Sequence, residues 1–109
     1  MLVISGDTIT VTKGDDFWLH LEIVMQDGKL YELNDSDKLY FQIFKKSKNE
    51  LNNPPIIKLE FDKDLKEVAI SGKDTKFLSN NKYYYTCVLE SEKYGKNTVT
   101  EGLLFFTYT

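Results

Sequence analysis

Arginine is absent from this 109-residue chain, and all fourteen basic residues are lysines. Without a guanidinium fork the chain lacks the side chain best suited to bidentate contacts with phosphate or guanine, which argues against specific nucleic-acid binding. Cysteine is reduced to Cys87, so no internal disulfide can form and the fold does not depend on an oxidising compartment. Histidine occurs once, as His20, and alanine once, as Ala69; proline occurs only as the pair Pro54-Pro55. No apolar run approaches the length of a membrane span, and the N-terminal MLVISGDT has no basic region, so neither a membrane partner nor a secretory signal is expected. No glycine loop of phosphate-cradling type and no repeat of solenoid length is visible.

What the chain does have is aromatic residues, 14% of the sequence, with seven Phe, seven Tyr and Trp18. They fall in short runs of period-two alternation, the signature of half-buried strands. Ile9 and Val11 alternate with threonines. Phe17, Leu19, Leu21 and Ile23 form an apolar row opposed by Trp18, His20, Glu22 and Val24. Asp27-Gly28 is the strongest hairpin signal and joins this run to Leu30–Leu33. Leu39, Phe41 and Ile43 follow, backed by Tyr40, Gln42 and Phe44. Lys45 to Pro55 is polar, asparagine-rich and predicted to be loop. Alternation resumes at Ile57, Leu59 and Phe61, at Val68 and Ile70, and at Tyr83, Tyr85, Cys87 and Leu89. Lys73 to Leu78 has room for one helical turn, with Asp74 or Thr75 able to cap it. A last hairpin turns near Tyr94 to Asn97, and Gly102 suggests a bulge in the final strand. One domain fits this length. The expected fold is all-β: an antiparallel, immunoglobulin-like β-sandwich of seven to nine short strands with at most one short helical turn.

Chemistry-bearing side chains are few and scattered. His20 lies on the row opposite the apolar one with no second histidine, which reads as a surface position rather than a metal ligand. Cys87 alternates with Tyr85 and Leu89 and reads as a small buried apolar residue, not a nucleophile. Asp15-Asp16, Asp35/Asp37 and Asp62/Asp64 could supply oxygen ligands to calcium, but none has a calcium-loop spacing, and aspartates at turns bond their own backbone. No cofactor and no enzymatic activity is expected.

The run ITVTKGDD, the Asp27-Gly28 turn, Tyr31-Glu32-Leu33, Asp37-Lys38, Phe41, Asp74-Thr75, Leu78, Tyr83, Tyr85 and Thr98-Val99 together resemble the N-terminal β-sandwich domain of phage baseplate upper proteins and related small structural proteins of phages infecting Gram-positive hosts. The resemblance spans Ile9 to Thr107. The absence of arginine and abundance of Lys, Asn, Ile and Tyr match an AT-rich genome of that kind. The resemblance implies a non-enzymatic tail, baseplate or fibre component, made in the bacterial cytoplasm and virion-associated, whose partners are other structural subunits or further copies of itself. In that family the domain is usually followed by further segments, whereas this chain ends at Thr109, as a free-standing relative or a separately expressed domain.

Two alternatives remain open from the residues: a phage-encoded inhibitor of a host protein such as a defence nuclease, and a carbohydrate-binding module. All three readings need exposed contact area. Trp18, Tyr31, Tyr40, Tyr84, Tyr94, Phe106 and Tyr108 are the candidate interface residues, because Tyr and Trp present rigid area with a polar tip; the plainer reading is that these rings pack two sheets together. The C-terminal LLFFTYT is apolar on both faces and could pair as a free edge with another chain.

Overall fold

The computed structural model describes residues 2–5, 8–25, 27–45, 53–79 and 81–107. Within them the chain is all-β, with strands β1 (Leu2–Ser5), β2 (Thr8–Thr12), β3 (Phe17–His20), β4 (Lys38–Phe44), β5 (Ile57–Glu60), β6 (Glu67–Ile70), β7 (Lys82–Ser91) and β8 (Gly95–Thr107), and a single helical turn α1 (Gly72–Thr75). Six strands form one sheet in the order β1-β2-β8-β7-β4-β5, and β3 and β6 form a second, two-stranded sheet. Both sheets contribute to one core. Phe17, Leu19, Val68 and Ile70 from the small sheet join Ile9, Val11, Leu39, Phe41, Ile43, Tyr83, Tyr85, Leu89, Leu104 and Phe106 from the large one. The apolar rows read from the alternation are therefore the buried rows, since a period of two sends them all to one face.

Three devices hold the ends of the strands. At the Lys13–Asp16 turn, Gly14 adopts φ +89°, and the Asp16 carboxylate accepts the Gly72 backbone N–H at 2.7 Å, tying the turn to α1. Helix α1 is capped by Ser71, whose hydroxyl accepts the Lys73 N–H, and not by Asp74 or Thr75 as expected; Thr75 is fully buried. The β7–β8 hairpin turns through Glu92–Tyr94 into Gly95 at φ +75°, with the Ser91 hydroxyl accepting the N–H groups of Lys93 and Tyr94.

The structure corrects several expectations. The large sheet is mixed, not purely antiparallel, because β8 runs parallel to β2. The C-terminal run is no free edge: β8 is paired to β2 on one side and β7 on the other, which explains its two apolar faces. Phe106 lies in the core at 3% exposure, packed edge-on against Tyr83, and is removed from the candidate interface. The ladder irregularity falls not at Gly102, which pairs regularly with Tyr85, but where Cys87 pairs Thr100 and Val88 pairs Thr98, leaving Val99 as the extra residue. β3 ends at His20, so the Asp27-Gly28 turn closes only a narrow ribbon, which among the described residues has one bridge, Val24 to Leu30, and no third strand beside it. The turn itself is as expected, with Gly28 at φ +85° and the Asp27 carboxylate accepting the Lys29 N–H. Most of the Lys45 to Pro55 loop, and Tyr108, lie outside the described residues.

Candidate interaction surfaces

Strand alternation that sends one row into the core sends the other row outward, and on the large sheet part of that outward row is apolar. Tyr40 and Phe44 of β4, Tyr84 and Val88 of β7, and Leu103 and Phe105 of β8 all project to the face away from the core cluster. Register makes them neighbours. Tyr84 pairs Phe44 on one side and Leu103 on the other, while Tyr40 pairs Val88. Lys58 lies with its ammonium 4.2 Å from the Tyr40 ring centroid and Lys82 5.6 Å from that of Tyr84, so the lysine stems cover part of the ring faces. The rings remain half-buried.

A second surface lies where β5 and β6 diverge as the chain crosses between sheets. A groove of about 370 Å³ is lined there by Leu59, Val68 and Ala69, flanked by Trp18 and Leu65, and rimmed by Glu60, Asp62 and Glu67. Trp18 pairs with Ala69 across the small sheet, and small Ala69 leaves the indole 59% exposed. Leu65, held outward in the Asp62–Lys66 turn, is 62% exposed. That turn is fixed by the Asp62 carboxylate, which accepts the N–H groups of Asp64 and Leu65, and by Lys66 at φ +56°.

The remaining candidates are engaged in the fold. Tyr31 donates its hydroxyl to the Asp37 carboxylate at 2.5 Å and meets Tyr94 edge-on, ring centroids 5.9 Å apart. Asp37 is fully buried and also accepts the Asn34 N–H, while its second oxygen has no protein partner. The hydrogen bond to Asp37, then burial, raises the Tyr31 pKa above 10.0. Thus Tyr31 and Tyr94 pin the hairpin ribbon to the β7–β8 turn, with Tyr94 still partly exposed.

Of the residues named together from the sequence, the structure places Tyr40 and Tyr84 on one face of the large sheet and Trp18 apart from them on the small sheet. Sequence reasoning did not group them in this way. It missed Leu65, Phe44 and the groove's carboxylates, and also Phe77, which follows α1 at 80% exposure. A leucine set inside an Asp-Lys-Asp turn was the available signal for Leu65.

His20 is exposed, with Nδ1 3.1 Å from the Leu65 carbonyl and Nε2 3.4 Å from Glu22. Cys87 is buried and desolvation pushes its thiol up to about 12, the opposite of what a nucleophile requires. Among the described residues no three His, Cys, Asp or Glu side chains converge as a metal site, and no helix is long and apolar enough to cross a membrane. No family model, curated protein or solved structure matches the chain.

Proposed function

We propose that this chain is a non-enzymatic structural or assembly module, an immunoglobulin-like β-sandwich acting through protein–protein contacts in a phage or prophage tail, baseplate or fibre. The observation that carries this reading is the outward face of the large sheet. A sheet that packs one face on the core and bathes the other in water alternates apolar with polar residues. Here Tyr40, Phe44, Tyr84, Leu103 and Phe105, all partly exposed, occupy outward positions around the hydrogen-bonded Gln42–Thr86 pair, where a free monomer favours polar side chains. Clustered apolar area of this kind marks a contact surface. Stacking against a second copy or a neighbouring subunit would remove it from water, with the aromatic rings as anchors. The phage context comes from the motif order described above. Tail or capsid genes flanking the coding sequence would support it, and their absence would favour the host-inhibitor reading.

Sedimentation velocity over a wide concentration series tests the contact. Reversible self-association is expected, abolished by Tyr84→Glu or Phe105→Glu, both on the outer face. A wild-type chain that stays monomeric at all concentrations would count decisively against self-assembly.

A further inference from the structure

We propose that the groove at the β5–β6 seam is a docking site for an extended, lysine- or arginine-bearing segment of another protein. The groove lining includes none of the apolar outer-face residues, although its rim residue Glu60 pairs across the ladder with Tyr40, so the two surfaces adjoin along β5 and are tested with separate substitutions.

Three features of the groove agree on that occupant. First, the lining combines two largely exposed apolar side chains, Trp18 and Leu65, with the more buried Leu59 and Val68, which gives two anchors beside an apolar base. Second, the rim is uncompensated negative charge. Lys66 is directed to Glu32 at 3.7 Å, Lys63 donates to the Asp35 carbonyl, and Lys58 lies over Tyr40. None of these lysines lines the groove, and among the described residues neither Glu60 nor Glu67 has an ion-pair partner, although Lys58 shares the strand face of Glu60. Asp62 is occupied in holding its turn. A cationic side chain laid along the slot would meet two carboxylates and the face of an indole, the surroundings that favour it most.

Third, backbone is available beside the slot. β5 pairs only with β4, and the Phe61 N–H donates to the Leu39 carbonyl at 2.7 Å. In an antiparallel ladder bonded pairs alternate, so Ile57, Leu59 and Phe61 bond to β4 while Lys58 and Glu60 direct their N–H and C=O groups to the open side. A strand added there would place alternate side chains toward Trp18 and the carboxylates. A neutral glycan could also stack on the indole and donate its hydroxyls to the carboxylates, and the peptide and oligosaccharide probes below distinguish the two occupants.

The probe is a set of synthetic peptides of about six residues, strand length, alternating Val with Lys, with Ser or with Glu. Because Trp18 is the only tryptophan, its indole N–H is a single reporter in a proton–nitrogen NMR spectrum. The Lys/Val peptide is expected to shift that signal together with the Lys58 and Glu60 amides. E60Q combined with E67Q, both near the surface, should weaken binding by roughly tenfold or more, since each lost charge contact is worth about fivefold. E92Q, on the distant β7–β8 turn, should leave binding intact, as should Tyr84→Glu, which removes the outer-face contact instead. Equal binding of the Ser/Val peptide, equal weakening by E92Q, no shift with any peptide, or a shift of Trp18 only by cell-wall oligosaccharide would each overturn the proposal.

Discussion

Replacing Gly72 with alanine should be strongly destabilising, because alone among Gly14, Gly28, Gly72 and Gly95 it has no room for a Cβ. A Cβ on Gly72 would lie 1.9 Å from the Gly14 carbonyl oxygen, 2.5 Å from its carbon and 3.0 Å from the carbonyl carbon of Asp15. These are backbone atoms, so no side chain can rotate away; the turn or α1 must move by more than about 1 Å to reach ordinary contact distance. Such a shift breaks the 2.7 Å bond from the Gly72 N–H to the Asp16 carboxylate, whose loss costs about 1.5–3 kcal/mol because one partner is charged. Residual overpacking adds about 1–3 kcal/mol. The expected loss is therefore about 2.5–6 kcal/mol, a large part of a small domain's stability. Urea denaturation followed by far-UV circular dichroism measures it, since exposed Trp18 is a poor fluorescence reporter of unfolding. Gly14→Ala is the control. Its Cβ would meet open space, so only the left-handed φ of +89° is penalised, at about 1–2 kcal/mol. A Gly72→Ala loss no greater than that of Gly14→Ala would refute the reasoning.

Other consequences are open to measurement. Cys87 should resist iodoacetamide in the native protein and react fully in urea; stoichiometric labelling without denaturant would show that the thiol is not buried. Because its folded pKa of about 12 lies above the ordinary 9.0, the stabilisation from keeping the thiol neutral is complete below pH 9 and lost as pH rises toward 12, so Cys87→Ala should flatten the alkaline limb of the stability curve. Tyr31→Phe should cost about 1–3 kcal/mol by removing the donor to Asp37. In an ultraviolet titration one tyrosine should ionise above the normal range, and the contribution of its hydrogen bond, present below pH 10, should fade at higher pH; no change in that titration in Asp37→Asn would show that the bond does not control it.

The local part of this fold was legible because it follows from period two. The rows Ile9/Val11, Phe17/Leu19, Leu39/Phe41/Ile43 and Tyr83/Tyr85/Cys87/Leu89 are all buried, as their alternation required. Turn chemistry at Asp27-Gly28 and near Tyr94-Gly95 was also readable, since left-handed φ values favour glycine. What failed was non-local. Nothing in residues 103–107 reveals that they insert beside residues 8–12, and with two apolar rows in that strand the sequence offered no way to choose Phe106 over Phe105 as the core residue. The groove was illegible for the same reason, because Trp18, Leu59 and Leu65 meet only when two sheets diverge. Tyr31 was read as contact area, yet its hydroxyl is spent on buried Asp37, six residues away.

The position of β8 has a consequence for the order of events in synthesis. The β1–β2 hairpin and the β4–β5–β7 group share no direct pairing in the large sheet; β8 alone joins them. Until the ribosome has released the chain through Thr107, the sheet exists as two pieces with unsatisfied edges, one of them the long β7. Completion of the large sheet thus waits for residues 103–107, and the strands made before them keep unpaired edges until then. A fusion or truncation that disturbs residues 103–107 would not fray a margin but divide the sheet in two.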